Sequence, residues 1–95
     1  MTRIVIKKLI FDAYNLEHIR KHNVSEMEVI EAGKRIIFHK KSYKSRYLAV
    51  GRVNRRLIAL AIRRVNTGEY YLVTARDAGK NERRRVYEKE KKQNS

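Results

Sequence analysis

The chain has 95 residues, with 24 Lys and Arg against 10 Asp and Glu, a formal net charge of +14. So short a chain builds one core rather than two, and 42% hydrophobic residues suffice for that one. The absence of cysteine excludes disulfide scaffolds and thiolate metal sites, and no apolar run approaches the ~18–20 residues that span a bilayer. Lysines interrupt the apolar start at Lys7 and Lys8 and no small-residue cleavage site follows, so the N-terminus does not read as a signal peptide. The expectation is a small cytoplasmic protein, with one domain over 1–90 and a frayed polar tail over 91–95.

The charge is unevenly placed. Residues 31–66 hold eleven Lys and Arg against Glu31 alone, a net of +10, whereas residues 1–30 are close to neutral. Self-repulsion on this scale destabilises a compact state, so the block points to a polyanionic partner.

In chain order, Val5 and Leu9–Phe11 suggest a short first strand ending at Asp12. Asp12 then caps a helix over 13–22, with Leu16 and Ile19 inward. Ser25 and Glu28 form a capping box for a second helix, stapled by Val24 and Val29, with Gly33 as its C′ residue. From Arg35 the period changes to two, giving strands over 35–40, 46–52, 56–65 and 69–76. The run Leu57–Ile62 is apolar on both faces and reads as the central strand. The short connections over 53–55 and 66–68 favour antiparallel hairpins. Asp77 caps a last helix that ends at about Tyr87–Glu90. The order is β-α-α-β-β-β-β-α, an α+β arrangement with helices packed on one face of an antiparallel sheet.

His18 and His22 have the i,i+4 spacing of two zinc ligands, but Ile19, Arg20 and Lys21 between them supply no glutamate and add two cations. They read as helix-surface or capping histidines, and no metal or other cofactor is expected. Arginine and tyrosine make the stronger constellation. Alternation puts Arg46, Leu48, Val50 and Arg52 on one side of their strand, and Tyr70, Leu72, Thr74 and Arg76 on one side of theirs. Arg83 and Tyr87 are i,i+4 on the last helix. Guanidinium forks suit phosphate oxygens and tyrosine suits a base or a proton transfer, which fits an RNA strand across the sheet. Lys40, Lys41, Lys44, Arg52, Arg55, Arg56 and Lys80 are the cations expected to dock its backbone. Cleaving RNA without metal needs a base, an acid and cations at the phosphorus. His22, His39, Glu82 and Tyr87 are candidate proton carriers, and nothing local singles one out.

Three stretches together resemble the BrnT family of toxins. The first is Phe11-Asp12, Asn15 and Arg20-Lys21-His22-Asn23-Val24-Ser25. The second is Arg46-Tyr47-Leu48-Ala49-Val50-Gly51-Arg52. The third is Leu72–Ala78 followed by Glu82-Arg83-Arg84-Arg85-Val86-Tyr87. The resemblance covers residues 9–87 and implies a fold like the RelE-like ribonucleases. It also implies the toxin of a type II toxin–antitoxin system, an endoribonuclease that cuts RNA and inhibits translation. The implied partner is a BrnA-like ribbon-helix-helix antitoxin, through which promoter DNA is bound. Carried over by position, the site residues are His22, Arg46, Arg76, Glu82, Arg83 and Tyr87. Asn23 replaces a family glycine and also tolerates positive φ. Ser45 precedes Arg46 where many members have an acid. If that acid carries a proton, the alternative is a basic regulatory module that binds RNA without cutting it.

Overall fold

The computed structural model describes residues 4–42 and 44–93. Met1–Arg3 of the expected uncleaved start, and residues 94 and 95 of the expected tail, lie outside the described residues. The elements follow the order read from the sequence: β1 (Lys8–Ile10), α1 (Ala13–Lys21), α2 (Glu26–Lys34), β2 (Ile36–Lys41), β3 (Arg46–Val53), β4 (Arg56–Asn66), β5 (Glu69–Asp77) and α3 (Lys80–Gln93). They form one five-stranded sheet in the order β1-β5-β4-β3-β2. The α+β class is as expected, and two details of the layering differ.

The first concerns β1. Strands β2 to β5 are an antiparallel meander, but β1 lies parallel to β5. Two helices separate β1 from β2, so no hairpin forces it to run antiparallel, and it covers the β5 edge instead. The Lys7 and Lys8 N–H groups both donate to the Gly68 carbonyl, at 2.8 and 3.0 Å, which fixes its approach.

The second concerns the helices, which occupy both faces. Ile19, Val29 and Ala32 of α1 and α2 pack on Ile58, Leu60, Ile62 and Leu72. On the opposite face Val86 of α3 packs on Val50, Leu57 and Ala59. Strand β4 is therefore central and apolar on both sides, as its sequence suggests. A single layer of helices would leave Leu57 and Ala59 in water, and covering them is favourable by about 25 cal/mol per Å².

Local chemistry sets the ends. Asp12 and Asn15 make a reciprocal capping box, each accepting the other's backbone N–H at 2.8–2.9 Å. Asn15 is fully buried, and its amide donates to the Ile10 and Leu72 carbonyls, tying α1 to β1 and β5. Ser25 and Glu28 form the second capping box, and Asn23 has φ 59° as the turn requires. Two expected ends shift. Helix α2 continues through Gly33 to Lys34, with Gly33 placed against Leu9 and Ile6 side chains. Asp77 ends β5 rather than capping α3. The Gly79 N–H donates to the Glu82 carboxylate at 2.7 Å, and α3 continues past Glu90 to Gln93.

Gly51 brings α2 onto the sheet. A Cβ there would fall on the Ala32 carbonyl oxygen and within 2.9 Å of the Ala32 Cα, both of them backbone. Gly51→Ala is therefore expected to destabilise the fold by roughly 2–3 kcal/mol and lower the Tm by roughly 10–15 °C. Thermal unfolding followed by circular dichroism checks this, and an unchanged Tm would contradict the close approach.

Candidate nucleic-acid interface

Helix α3 carries seven cations and three carboxylates between Lys80 and Gln93, and only Val86 is fully buried. It is seated by Glu82, Val86 and Glu90, spaced four apart on one ridge. Glu82 accepts both Nη groups of Arg76 at 2.9 Å, and Glu90 accepts Nη2 of Arg52 on both oxygens at 2.8 Å. The Arg76 hydrogen bonds hold the Glu82 carboxyl below its ordinary value, with the Gly79 N–H and the charge of Lys40 adding to the effect.

A β-bulge makes the first of these pairs possible. Ala61 pairs with Thr74 while its neighbour Ile62 pairs with Leu72, so Val73 is an extra residue in β5. Tyr70 and Leu72 therefore face α1 and α2, whereas Thr74 and Arg76 face α3. This corrects the single alternation that placed all four on one side. Thr74 Oγ1 is buried and has no hydrogen-bond partner among the described residues.

With Glu82 and Glu90 committed to the sheet, the cations of α3 point elsewhere. Arg83 and the exposed Tyr87 line a groove of about 440 Å³ with Arg52, Arg55, Arg56 and Asp77. Arg56 bridges Asp77 at 2.6 Å and Glu28 at 2.8 Å, and this contact lowers the Asp77 carboxyl. On the other flank of α3, Arg84, Arg85 and Lys89 line a second groove of about 740 Å³ against Lys40 and Phe38 of β2. The Arg85 guanidinium lies 5.5 Å from the Phe38 ring centroid.

The structure thus gathers some candidates and separates others. Arg83 and Tyr87 share a groove with Arg52, Arg55 and Arg56, but Arg52 and Arg56 are already bound to carboxylates. Arg76, Glu82 and Lys40 lie together on the sheet side, and Lys80 opens α3. Arg46 stands at the far end of β3. His22 ends α1 on the opposite face, its ring 5.5 Å from that of His18. Alternation puts His39 and Lys41 on that face too, and Lys44 sits in the β2–β3 loop with φ 57°. Among the described residues no group of three or more His, Cys, Asp or Glu could hold a metal ion. Sequence reasoning missed Glu90 as the partner of Arg52, and Arg56 rather than Arg76 as the partner of Asp77. The four-residue spacing of Glu82, Val86 and Glu90 was the readable signal for the first.

The fold and surface together define a small basic α+β protein whose cations gather around one helix. Its fold is BrnT-like. It is similar to the crystal structure of the Brucella abortus ribonuclease toxin BrnT, with a TM-score of 0.59 and 20% identity over 77% of this chain and 97% of that one. No protein-family model and no curated protein matches the sequence.

Four carboxyls, Asp12, Glu28, Asp77 and Glu82, are held below their ordinary values in the fold, chiefly by the Asn15 N–H, the Ser25 N–H, Arg56 and Arg76 respectively. The unfolded chain then takes up protons first as pH falls. Stability is fully present above the ordinary values of 3.8 and 4.5 and drains away below them. Arg76 is 43% exposed, so solvent screens its pair. Glu82→Gln is expected to cost about 1 kcal/mol at neutral pH and to flatten the loss between about pH 5 and 3. Tm against pH for both proteins checks this, and parallel curves would contradict it.

Proposed function

We propose that this chain is the toxin of a type II toxin–antitoxin pair, an endoribonuclease that cleaves RNA in the cytoplasm and so inhibits translation. The observation that carries this reading is the Arg83–Tyr87 face of α3, set over Arg55 in a groove that also holds an ionised carboxylate, Asp77. The likeness of the fold to a ribonuclease toxin supports it. Arg83 and Arg55 would hold the non-bridging oxygens of the scissile phosphate, where negative charge grows during attack. The 2′-oxygen attacks phosphorus as its proton passes to solvent water, the 5′-oxygen leaves, and the products are a 2′,3′-cyclic phosphate and a 5′-hydroxyl. The Tyr87 hydroxyl is the proton donor to the leaving oxygen. No metal enters this scheme.

The partner is a BrnA-like ribbon-helix-helix antitoxin, with promoter DNA contacted through it. An acidic segment of that antitoxin suits the basic surface, and its binding weakens steeply with salt. The second reading is a basic module that binds RNA without cutting. It draws support from Glu82, which is tied to Arg76, and from His22 and His39, which face away from α3.

Induction in a bacterial host tests the choice. Wild-type chain is expected to arrest growth and to produce RNA fragments ending in cyclic phosphate, with EDTA leaving cleavage intact. Tyr87→Phe, at an exposed position, is expected to keep the Tm and to lose roughly 10²–10⁴-fold in cleavage. Arg83→Ala is expected to lose growth arrest as well. Full arrest from both variants would overturn this site, and tight RNA binding without fragments would establish the second reading.

A further inference from the structure

At the end of the sheet away from α3, the same face carries a second group of cations. Arg46 on β3 and Arg63 on β4 are directly opposite partners in the antiparallel ladder. Two arginines therefore leave the same face from facing positions of neighbouring strands, and like charges directly opposite destabilise a sheet. The other arginines of this face, Arg52 and Arg76, each have a carboxylate. Among the described residues Arg46 and Arg63 have none.

The row continues onto β5. Tyr71 is the ladder partner of Arg63, and the Arg63 guanidinium carbon lies 5.3 Å from its ring centroid. The Tyr71 hydroxyl donates to the Asp12 carboxylate at 2.8 Å. Asp12 is thereby occupied by Tyr71 and by the N-terminus of α1 rather than by either arginine. Between this row and α3 the sheet surface is half-buried Leu48, Ala61 and Thr74, a floor without charge. Along β4, Arg63 stands four residues from Ala59, the ladder partner of Arg76, or about 13 Å.

We infer that Arg46 and Arg63 form a phosphate clamp for a second nucleotide of single-stranded RNA, distinct from the groove at Arg83 and Tyr87. Tyr71 is its positioning residue, holding the Arg63 fork while Asp12 holds Tyr71. An anion between the two guanidiniums turns the cross-strand repulsion into two charge-assisted contacts. The clamp rests on the RNA reading above, because it takes its ligand from that reading.

The test uses the full chain and a ten-nucleotide 2′-O-methyl oligouridine, which cannot be cleaved through its 2′-oxygen. Arg63→Gln is expected to weaken binding roughly three- to tenfold at low salt and to reduce the slope of log affinity against log salt by about 0.7. The same variant is expected to raise the Tm by roughly 1–5 °C, because it removes one of two facing charges. Tyr71→Phe keeps the charge count, so it is expected to weaken binding without changing the slope. Unchanged affinity and slope in Arg63→Gln, with the wild-type binding, would overturn the clamp alone. A lower Tm together with weaker binding would also overturn it, since Arg63 would then be a structural residue. A wild-type chain that does not bind the oligonucleotide at all would overturn the RNA reading and the clamp together.

Discussion

Helix α3 is held on the sheet by one buried valine and two arginine–glutamate pairs, and the arrangement of the whole basic surface follows from that seat. A helix with seven cations and one buried apolar side chain does not dock on a sheet through apolar burial alone. Glu82 and Glu90 supply the missing attraction by taking Arg76 and Arg52. Glu28 of α2 and Asp77 of β5 are in turn taken by Arg56 of β4. The scarce acids of the chain are thus used at structural positions. What is left over is positive charge, on the outer face of α3, in the β2–β3 loop and at the Arg46–Arg63 row. An anionic partner that settles there relieves repulsion that the fold itself leaves in place.

The rest of the architecture serves this seat. Strand β4 is apolar on both faces, so it draws α1 and α2 to one side and α3 to the other. Gly51 lets α2 approach the sheet backbone, which keeps the first core tight. The bulge at Val73 turns Arg76 toward α3; without the extra residue it would face α1 and Glu82 would lack its partner.

Much of this was legible in the sequence, for identifiable reasons. The two capping boxes depend on residues three apart, and the central strand announces itself as six consecutive apolar residues. The positive φ of Asn23 follows from a residue type that tolerates it. The Arg83–Tyr87 face was readable because helical spacing alone places the two together. Other features depend on contacts between residues far apart in the chain. Arg52 meets Glu90 and Arg56 meets Glu28 only after the sheet has formed. A bulge breaks period-two reasoning at the one strand where it mattered, and motif order does not say on which face of a sheet His22 will lie. The side of the sheet that α3 covers was equally invisible, because its docking ridge is mostly charged.

The central claim is that RNA lies on the α3 face, over the cations that the structural acids leave free. Heteronuclear NMR of the full chain during titration with the 2′-O-methyl oligouridine tests it most directly. Chemical-shift changes are expected to be confined to α3, to Arg55 between β3 and β4, and to the sheet positions around Lys40, Arg46, Arg63 and Arg76. Changes centred instead on α1 and α2, around His22 and the exposed Met27, would contradict it.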